Sequence, residues 1–409
     1  MATFSPFNAV IPSPERASDV ASLPYDVMSN KEALDMVRGN PLSFVRVTRS
    51  EVDLPADVSP YSRIVYQQAR ENYISLKETV PMPKDSVSAF YVYQLEMNGR
   101  RQTGVAACAA VDEYDDNVIK KHEKTRQQKE DDRTQHILTV GAQTGPVFLT
   151  YRDTDDVREI VRKVRETPPL FSFVAEDGVT HSVWRVERFH TQPLEDAFAA
   201  VPCFYIADGH HRAASASRAR AACRAKNQGH TGKEDYNFFL AVAFPATELT
   251  ILPYNRVVSG LNGYGPDALL QDIGHRADIG PASTPEPKEA GVVHMYLNGQ
   301  WWRVAFPAPD PDLTAAEKLD ASILQNTILH PLLGINDPRI NDRIDFIGGI
   351  RGTRELEERV DAGDADIAFS MYPTTVEQLM AISDAGDIMP PKSTWFEPKL
   401  RDGLLVHDI

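Results

Sequence analysis

Val201-Pro-Cys-Phe-Tyr-Ile-Ala-Asp-Gly-His-His-Arg-Ala-Ala-Ser-Ala216 changes character twice along its length. Cys203 to Ala207 is apolar and aromatic, the composition of a buried strand. Arg212 to about Lys226 is rich in Ala and Arg, both strong helix formers. Asp208 and Gly209 stand at the join. Asp208 suits an N-cap, and Gly209 allows a tight turn because no Cβ obstructs it. The amides of His210, His211 and Arg212 then fall at the positive end of a helix dipole, with two imidazoles and a guanidinium on the same turn. That pattern binds phosphate through backbone and side chains together. The plain alternative is a solvated cap whose histidines hydrogen-bond nearby loops. Cation-rich helix starts beside a carboxylate are, however, typical of functional clefts.

Working outward, the 409 residues suffice for one large or two ordinary domains, and 42% hydrophobic with 25% charged residues is a soluble globular composition. A formal net charge of -15 argues against a nucleic-acid backbone as partner but not against a small anion held by local positive charge. Cys108, Cys203 and Cys223 share no metal-ligand spacing, which points to a reducing compartment without a disulfide framework. No signal-peptide pattern and no membrane-length apolar run is visible, so a cytoplasmic protein is expected, with no membrane partner.

Along the chain, a helix is expected over Lys31–Arg38, capped by Ser29 or Asn30, and a strand over Leu42–Val47. Tyr61–Lys77 reads as an amphipathic helix. Asn98-Gly99 turns a hairpin between Ala89–Met97 and Thr103–Val111, and Asp177-Gly178 and Asn298-Gly299 turn two more. Val118–Arg133 is polar throughout and helical in propensity. On that helix Lys120, Glu123 and Gln127 would share a face, either solvated or bordering a cleft. Phe238–Phe244 is a fully apolar strand. A composition shift at Ser259 divides the chain into a core of 1–258 and a C-terminal α+β subdomain of 259–409 that closes the cleft. In the second part a helix is expected over Leu313–Leu329, a strand over Ala365–Met371 and a helix over Thr375–Ala385. Lys392, Ser393 and Thr394 offer further anion ligands near the end.

The Asp208-Gly209-His210-His211-Arg212 turn resembles the phosphate-binding turn of the ParB/sulfiredoxin superfamily, in particular its free serine kinases. The whole chain resembles a large bacterial family carrying the same turn. The segments that carry this likeness are Pro24-Tyr25-Asp26-Val27, Asn40-Pro41-Leu42-Ser43-Phe44, Ile119-Lys-Lys-His-Glu-Lys-Thr125, Leu252-Pro-Tyr-Asn-Arg256 and Met389-Pro-Pro-Lys-Ser-Thr-Trp395. The resemblance implies an α+β fold, a ParB/sulfiredoxin-like mixed-sheet core with large α+β elaborations. It also places the Lys120–Glu123 segment at the cleft.

The chemistry implied is phosphoryl transfer, in which protein groups supply position and charge. Gly209, His210, His211 and Arg212 would hold the donor phosphates, with Lys120 and Lys392 as further phosphate ligands. Asp208 would act as base on the acceptor hydroxyl or hold Mg2+, and Glu123 or Asp26 would supply a second carboxylate. The donor is ATP, ADP or pyrophosphate, and the acceptor is L-serine or a similar small molecule. A nucleotide-binding regulatory protein that switches without transferring phosphate is the alternative. A second copy of the chain is left open as a partner. No P-loop, dinucleotide fingerprint or protein-kinase catalytic loop is present, and no Cys follows Gly209 as a sulfiredoxin nucleophile would. Adjacent histidines on a helix point about 100° apart, so a shared metal ion on His210 and His211 is a minor reading.

Overall fold

The computed structural model describes residues 2–409. Its contacts divide the chain into two units, one of residues 1–121, 125–249 and 398–409 and one of 122–124 and 250–397. The expected division after residue 258 and the observed break after Leu249 are separated by two strands, Ile251–Leu252 and Tyr254–Val258, both of the second unit, and residues 398–409 belong to the first unit. The molecule is α+β.

The first unit is built on a nine-stranded mixed sheet. Phe204–Asp208 lies between Ile119–Lys120, which runs parallel to it, and Val147–Tyr151, which runs antiparallel with a register shift between Phe148 and Leu149. Phe238–Pro245 follows in parallel with Val147–Tyr151, and then Arg100–Ala110 in antiparallel. Such inner strands bury both faces, which is why they read as continuous apolar runs instead of alternating ones. The Asn98-Gly99 hairpin forms as expected, with φ of 53° and 76° at the two turn residues, the left-handed pair that matches strand twist. Thr180–Arg185 and Phe171–Val174 complete the far edge.

Helix His210–Lys226 keeps small residues on its buried face, namely Ala213, Ala214, Ser215, Ala216 and Ala219. Helix Gln127–Val140 can therefore approach closely, and Ser215 Oγ donates to the Glu130 carbonyl at 3.2 Å. The last residues return to this unit, where His407–Asp408 pairs with Ala142–Gln143. That return carries Lys399–Asp402 into the core.

The second unit centres on a six-stranded antiparallel sheet in the order Asp278–Pro281, Gln300–Ala305, Val292–Leu297, Ile367–Ser370, Tyr254–Val258, Ile344–Gly348. Leu269, Ile273, Leu324, Ile328 and Leu333 pack against one face of it.

Three expected elements are corrected. Leu42–Val47 is not a strand; Val45–Thr48 forms a helical turn, because Phe44 and Val47, three apart, both join the cluster around Ala69 and Tyr73. The polar helix starts at Gln127, not Val118, because Asn117 takes a left-handed φ of 58° and Ile119 is drawn into the sheet as a buried strand residue. The Leu313–Leu329 helix begins only at Asp320 and ends in a wider turn over Gln325–Leu329. The other expected helices stand close to their predicted limits, and Ser29 and Thr375 both make complete capping boxes.

Candidate phosphate-binding site

Gly209 sets the geometry. Its φ is 93°, backbone that side chains with a Cβ rarely adopt, and an added Cβ would lie 3.2 Å from Arg212 Nε and 3.4 Å from Val147 Cα. Gly209 itself is the N-cap of helix His210–Lys226, and no side chain caps it. The expected Asp208 cap is thus corrected. Asp208 ends the strand, and its carboxylate accepts the Gly209 N–H at 2.7 Å and the Lys399 ammonium at 2.8 Å. Because the chain turns through Gly209, Asp208 cannot reach back over the first helical turn. The first helical bond runs from Ala213 N–H to the Gly209 carbonyl at 3.0 Å, so the amides of residues 210–212 precede the helical ladder. That is the position from which helices bind anions.

Charge is concentrated around this turn and largely paired. Burial would raise the Asp208 carboxyl, but Lys399 and Arg212 outweigh it and hold the group well below the usual carboxylate range. The Asp208 side chain remains 27% exposed. Burial works against the Arg212 charge, yet Asp26, Asp208 and Asp402 together hold it more firmly protonated than a free guanidinium. Arg212 donates to the Pro146 carbonyl and stands 3.9 Å from Asp26, whose side chain is 33% exposed. The Pro24-Tyr25-Asp26 corner, closed by Val27 N–H to the Pro24 carbonyl at 3.2 Å, is what aims Asp26 at the turn.

Behind Arg212 lies a cavity of about 30 Å³, measured at water centres, lined by Tyr25, Arg133, Gly145, Arg212 and Asp402 among others. By the roughly 10–15 Å³ one water centre needs, it has room for ordered solvent. Arg212 Nε and Asp402 Oδ1 are buried there without a protein hydrogen-bond partner among the described residues. A Cβ at residue 145 would overlap the Asp402 carboxylate, so Gly145 is what lets that group in. Burial pushes Asp402 up to about 7 despite Arg212 nearby. Arg133 stacks over the Tyr25 ring at 4.2 Å and pairs with Asp132 at 2.9 Å.

The structure thus brings together Asp26, Asp208, Gly209, His210, His211 and Arg212. His210 is buried, which pushes its pKa down to about 3, so it stands as a neutral imidazole instead of a cation. His211 accepts the Arg126 N–H at 3.1 Å and ties the turn to the loop before helix Gln127–Val140. Lys120 is half-buried on the short strand beside Phe204–Tyr205. Glu123 lies in a bend and Lys392 at a left-handed position of the second unit. Glu123 does not share a helical face with Lys120 and Gln127 as expected, since no helix covers it. Among the described residues, no group of three or more His, Cys, Asp or Glu could hold a metal ion.

Lys399 and Asp402 escape a reading of local patterns. The signal available was a dense run of charge, Lys399 to Asp402, inside a Pro-bounded tail; all four of those residues are buried.

Residues 4–322 match the family described as Protein of unknown function (DUF1015). The chain belongs to this family. No curated protein matches it. Among solved structures, it is similar to a conserved hypothetical protein from Pyrococcus furiosus at 12% identity and a TM-score of 0.34, covering 73% of this chain and 93% of that one. A free serine kinase in complex with AMP matches at 11% identity and a TM-score of 0.35, over 72% and 86% of the two chains. SbnI with C-terminal truncation, from Staphylococcus aureus, matches at 13% identity and 0.37, over 73% and 85%. Likeness at this level carries no functional argument. Among the described residues, no helix is long and apolar enough to cross a membrane.

Proposed function

We propose that the chain is a ParB/sulfiredoxin-type phosphotransferase, cytoplasmic, moving a phosphoryl group from a nucleotide or pyrophosphate to the hydroxyl of free L-serine. The observation that carries this reading is the Asp208 carboxylate, kept ionised by Lys399 and Arg212 at the mouth of a helix start whose first amides lie outside the helical ladder.

Its residues divide the work as follows. The amides of 210–212 receive phosphate oxygens, and Lys399 adds a compact positive charge beside them. Asp208 is a weak base, because two cations lower its proton affinity, and suits magnesium ligation or charge placement better than proton abstraction. Magnesium, when bound with the donor, would neutralise charge on the phosphate oxygens. Asp26, one-third exposed and next to Arg212, takes the proton of the acceptor hydroxyl as the new serine O–P bond forms and the donor P–O bond breaks. Lys120, Glu123 and Lys392 are further proposed ligands. His210 contributes a neutral N–H at most.

Phosphorus NMR of the purified chain with Mg2+ and L-serine, run in parallel with ATP, ADP and pyrophosphate, tests this. A phosphomonoester signal with one donor establishes the activity and names the donor. Asp208→Asn should abolish that signal while donor-induced thermal stabilisation persists. Full turnover in Asp208→Asn would sink the assignment. Stabilisation by a donor without turnover in the native chain would instead favour a nucleotide-responsive regulator.

A further inference from the structure

Two nitrogens of the Arg212 guanidinium are taken and the third is not. Nη1 donates to the Pro146 carbonyl, and Nη2 stands 3.9 Å from Asp26. Nε is buried and has no hydrogen-bond partner among the described residues. The same Nε packs against the phosphate turn, 3.2 Å from where a Cβ at Gly209 would stand. Any shift of the guanidinium is therefore felt by the amides that follow Gly209. A buried donor left unmade is costly, so such groups are nearly always met by protein or by ordered water.

Asp402 presents the complementary group on the wall of the same cavity. It is 2% exposed, and its backbone is pinned by two hydrogen bonds exchanged with Ser22, at 2.9 and 3.2 Å. Its Oδ1 lies against Gly145, where an added Cβ would overlap it, and is buried without a partner among the described residues. The wall thus offers one unmet donor and one unmet acceptor. At about 30 Å³ measured at water centres, and roughly 10–15 Å³ for each water, the space takes two waters and no substrate. An anion there would face the Asp402 carboxylate, and a cation would face Arg212 and Arg133. Water accepts from the one group and donates to the other.

We propose that ordered water fills this cavity and bridges Arg212 Nε to Asp402 Oδ1, and that Asp402 is thereby a positioning residue for the phosphate turn. The positioning role rests on the reading of the turn as a phosphate site; the water bridge does not. With Asp402 ionised, the bridge and the charge both hold Arg212 toward the cavity. With Asp402 protonated, Arg212 loses one of its three counter-charges, and more of its field reaches an anion on the amides of 210–212. Burial pushes the Asp402 carboxyl up to about 7, opposed by Arg212, Arg133 and Arg401 and aided by Asp26, so both states are populated near neutrality. The other titratable groups around it stay neutral there: burial raises the Tyr25 and Tyr93 hydroxyls and lowers His136 to about 4. Anion affinity therefore falls as pH rises through 7.

Calorimetric titration of the full chain with sulfate, whose charge is constant from pH 5.5 to pH 8.5, tests the positioning role. Across that range the native affinity should fall at least threefold more than that of Asp402→Asn, which keeps the shape of the side chain and cannot ionise. Titration of His211, or of any group common to both proteins, cancels in that comparison. Equal profiles in the two proteins, with sulfate bound, would overturn the role of Asp402 and leave the phosphate turn standing. Sulfate binding by neither protein would overturn both together. A crystal structure of the native chain tests the bridge separately, and carries the test should Asp402→Asn fail to fold. It should show water hydrogen-bonded to Arg212 Nε and to Asp402 Oδ1. A direct contact between those two atoms, or a cavity without water density, would overturn the bridge and with it the route by which Asp402 acts. A silent phosphorus NMR assay beside an intact difference between native chain and variant would remove the phosphotransferase reading and keep this one.

Discussion

Arg212 and Arg256 are both buried, and their surroundings push them in opposite directions. Arg212 is held more firmly protonated than a free guanidinium because Asp26, Asp208 and Asp402 surround it. Arg256 is driven down to about 10, because its burial outweighs what Tyr254 and Asp320 give back. The difference separates two uses of a buried cation. At the phosphate turn the protein supplies the counter-charges, so Arg212 organises a site whose partly exposed groups are Asp208 and Asp26. In the second unit Asp320 supplies a counter-charge too weak to offset the burial of Arg256.

The largest effect that could break this contrast is expected at Arg212. Arg212→Gln would leave Asp26, Asp208 and Asp402 without their shared cation, and breaking such a buried arrangement costs about 3–5 kcal/mol. Urea unfolding at neutral pH should show that loss, and donor-induced stabilisation should vanish with it. A cost below about 1 kcal/mol, the range of a surface pair, would mean that solvent already screens the cluster and that Arg212 is not its organiser.

Much of this arrangement was open to a sequence reading, and the reasons for the rest are specific. The strand–turn–helix from Phe204 to Lys226 is legible because an apolar run, a glycine and an Ala-rich run are each local signals. The three Asn-Gly and Asp-Gly hairpins are legible for the same reason. Asp208 was placed as a cap because carboxylates before helices usually cap them, and only the left-handed Gly209 shows that its oxygens point at Lys399 instead. Lys399 and Asp402 lie 191 residues or more away in sequence from the strand end they meet, and nothing local marks a carboxylate as buried. The polar stretch from Val118 failed for the opposite reason: its helical propensity is real, but Ile119 gains more by joining the sheet than by extending a helix. Arg256 is legible only as one residue of a Pro-Tyr-Asn-Arg run, with no sign that it would be buried in a sheet.

A second, smaller effect sharpens the comparison through pH. Asp402 has a folded value near 7, above its unfolded value of about 4. Between those two values the folded chain holds more protons than the unfolded one, so this group makes stability fall as pH rises through that window and levels off above it. Asp402→Asn should remove that falling limb, making the variant relatively more stable at pH 8 than at pH 5 when compared with the native chain. His210 and His136, with folded values lowered to about 3 and about 4, act the other way. The unfolded chain protonates them first as pH drops below about 6.5, so they make stability fall on the acid side in both proteins. Guanidinium unfolding at a series of pH values reads the difference between the two curves, in which the histidine contributions cancel. An unchanged difference from pH 5 to pH 8 would show that Asp402 is ionised throughout, and hence that Arg212 compensates it as fully as it does Asp208.

The smallest effect is expected at Arg256, and its smallness is the informative part. In Arg256→Met a buried charge is replaced by an apolar chain of similar reach, which relieves its desolvation. Against that, the Tyr254 and Lys392 carbonyls lose a donor, at a cost of about 1–3 kcal/mol for a buried group left unsatisfied. The two terms oppose each other, so the ligand-free variant should unfold within about 1 kcal/mol of the native chain, far from the loss at Arg212. A loss of Arg212 size would show that Asp320 and the ring of Phe346 compensate Arg256 nearly as fully as the three carboxylates compensate Arg212. A near-neutral variant would show that the relief of burial and the lost contacts cancel, as the lowered value of Arg256 implies.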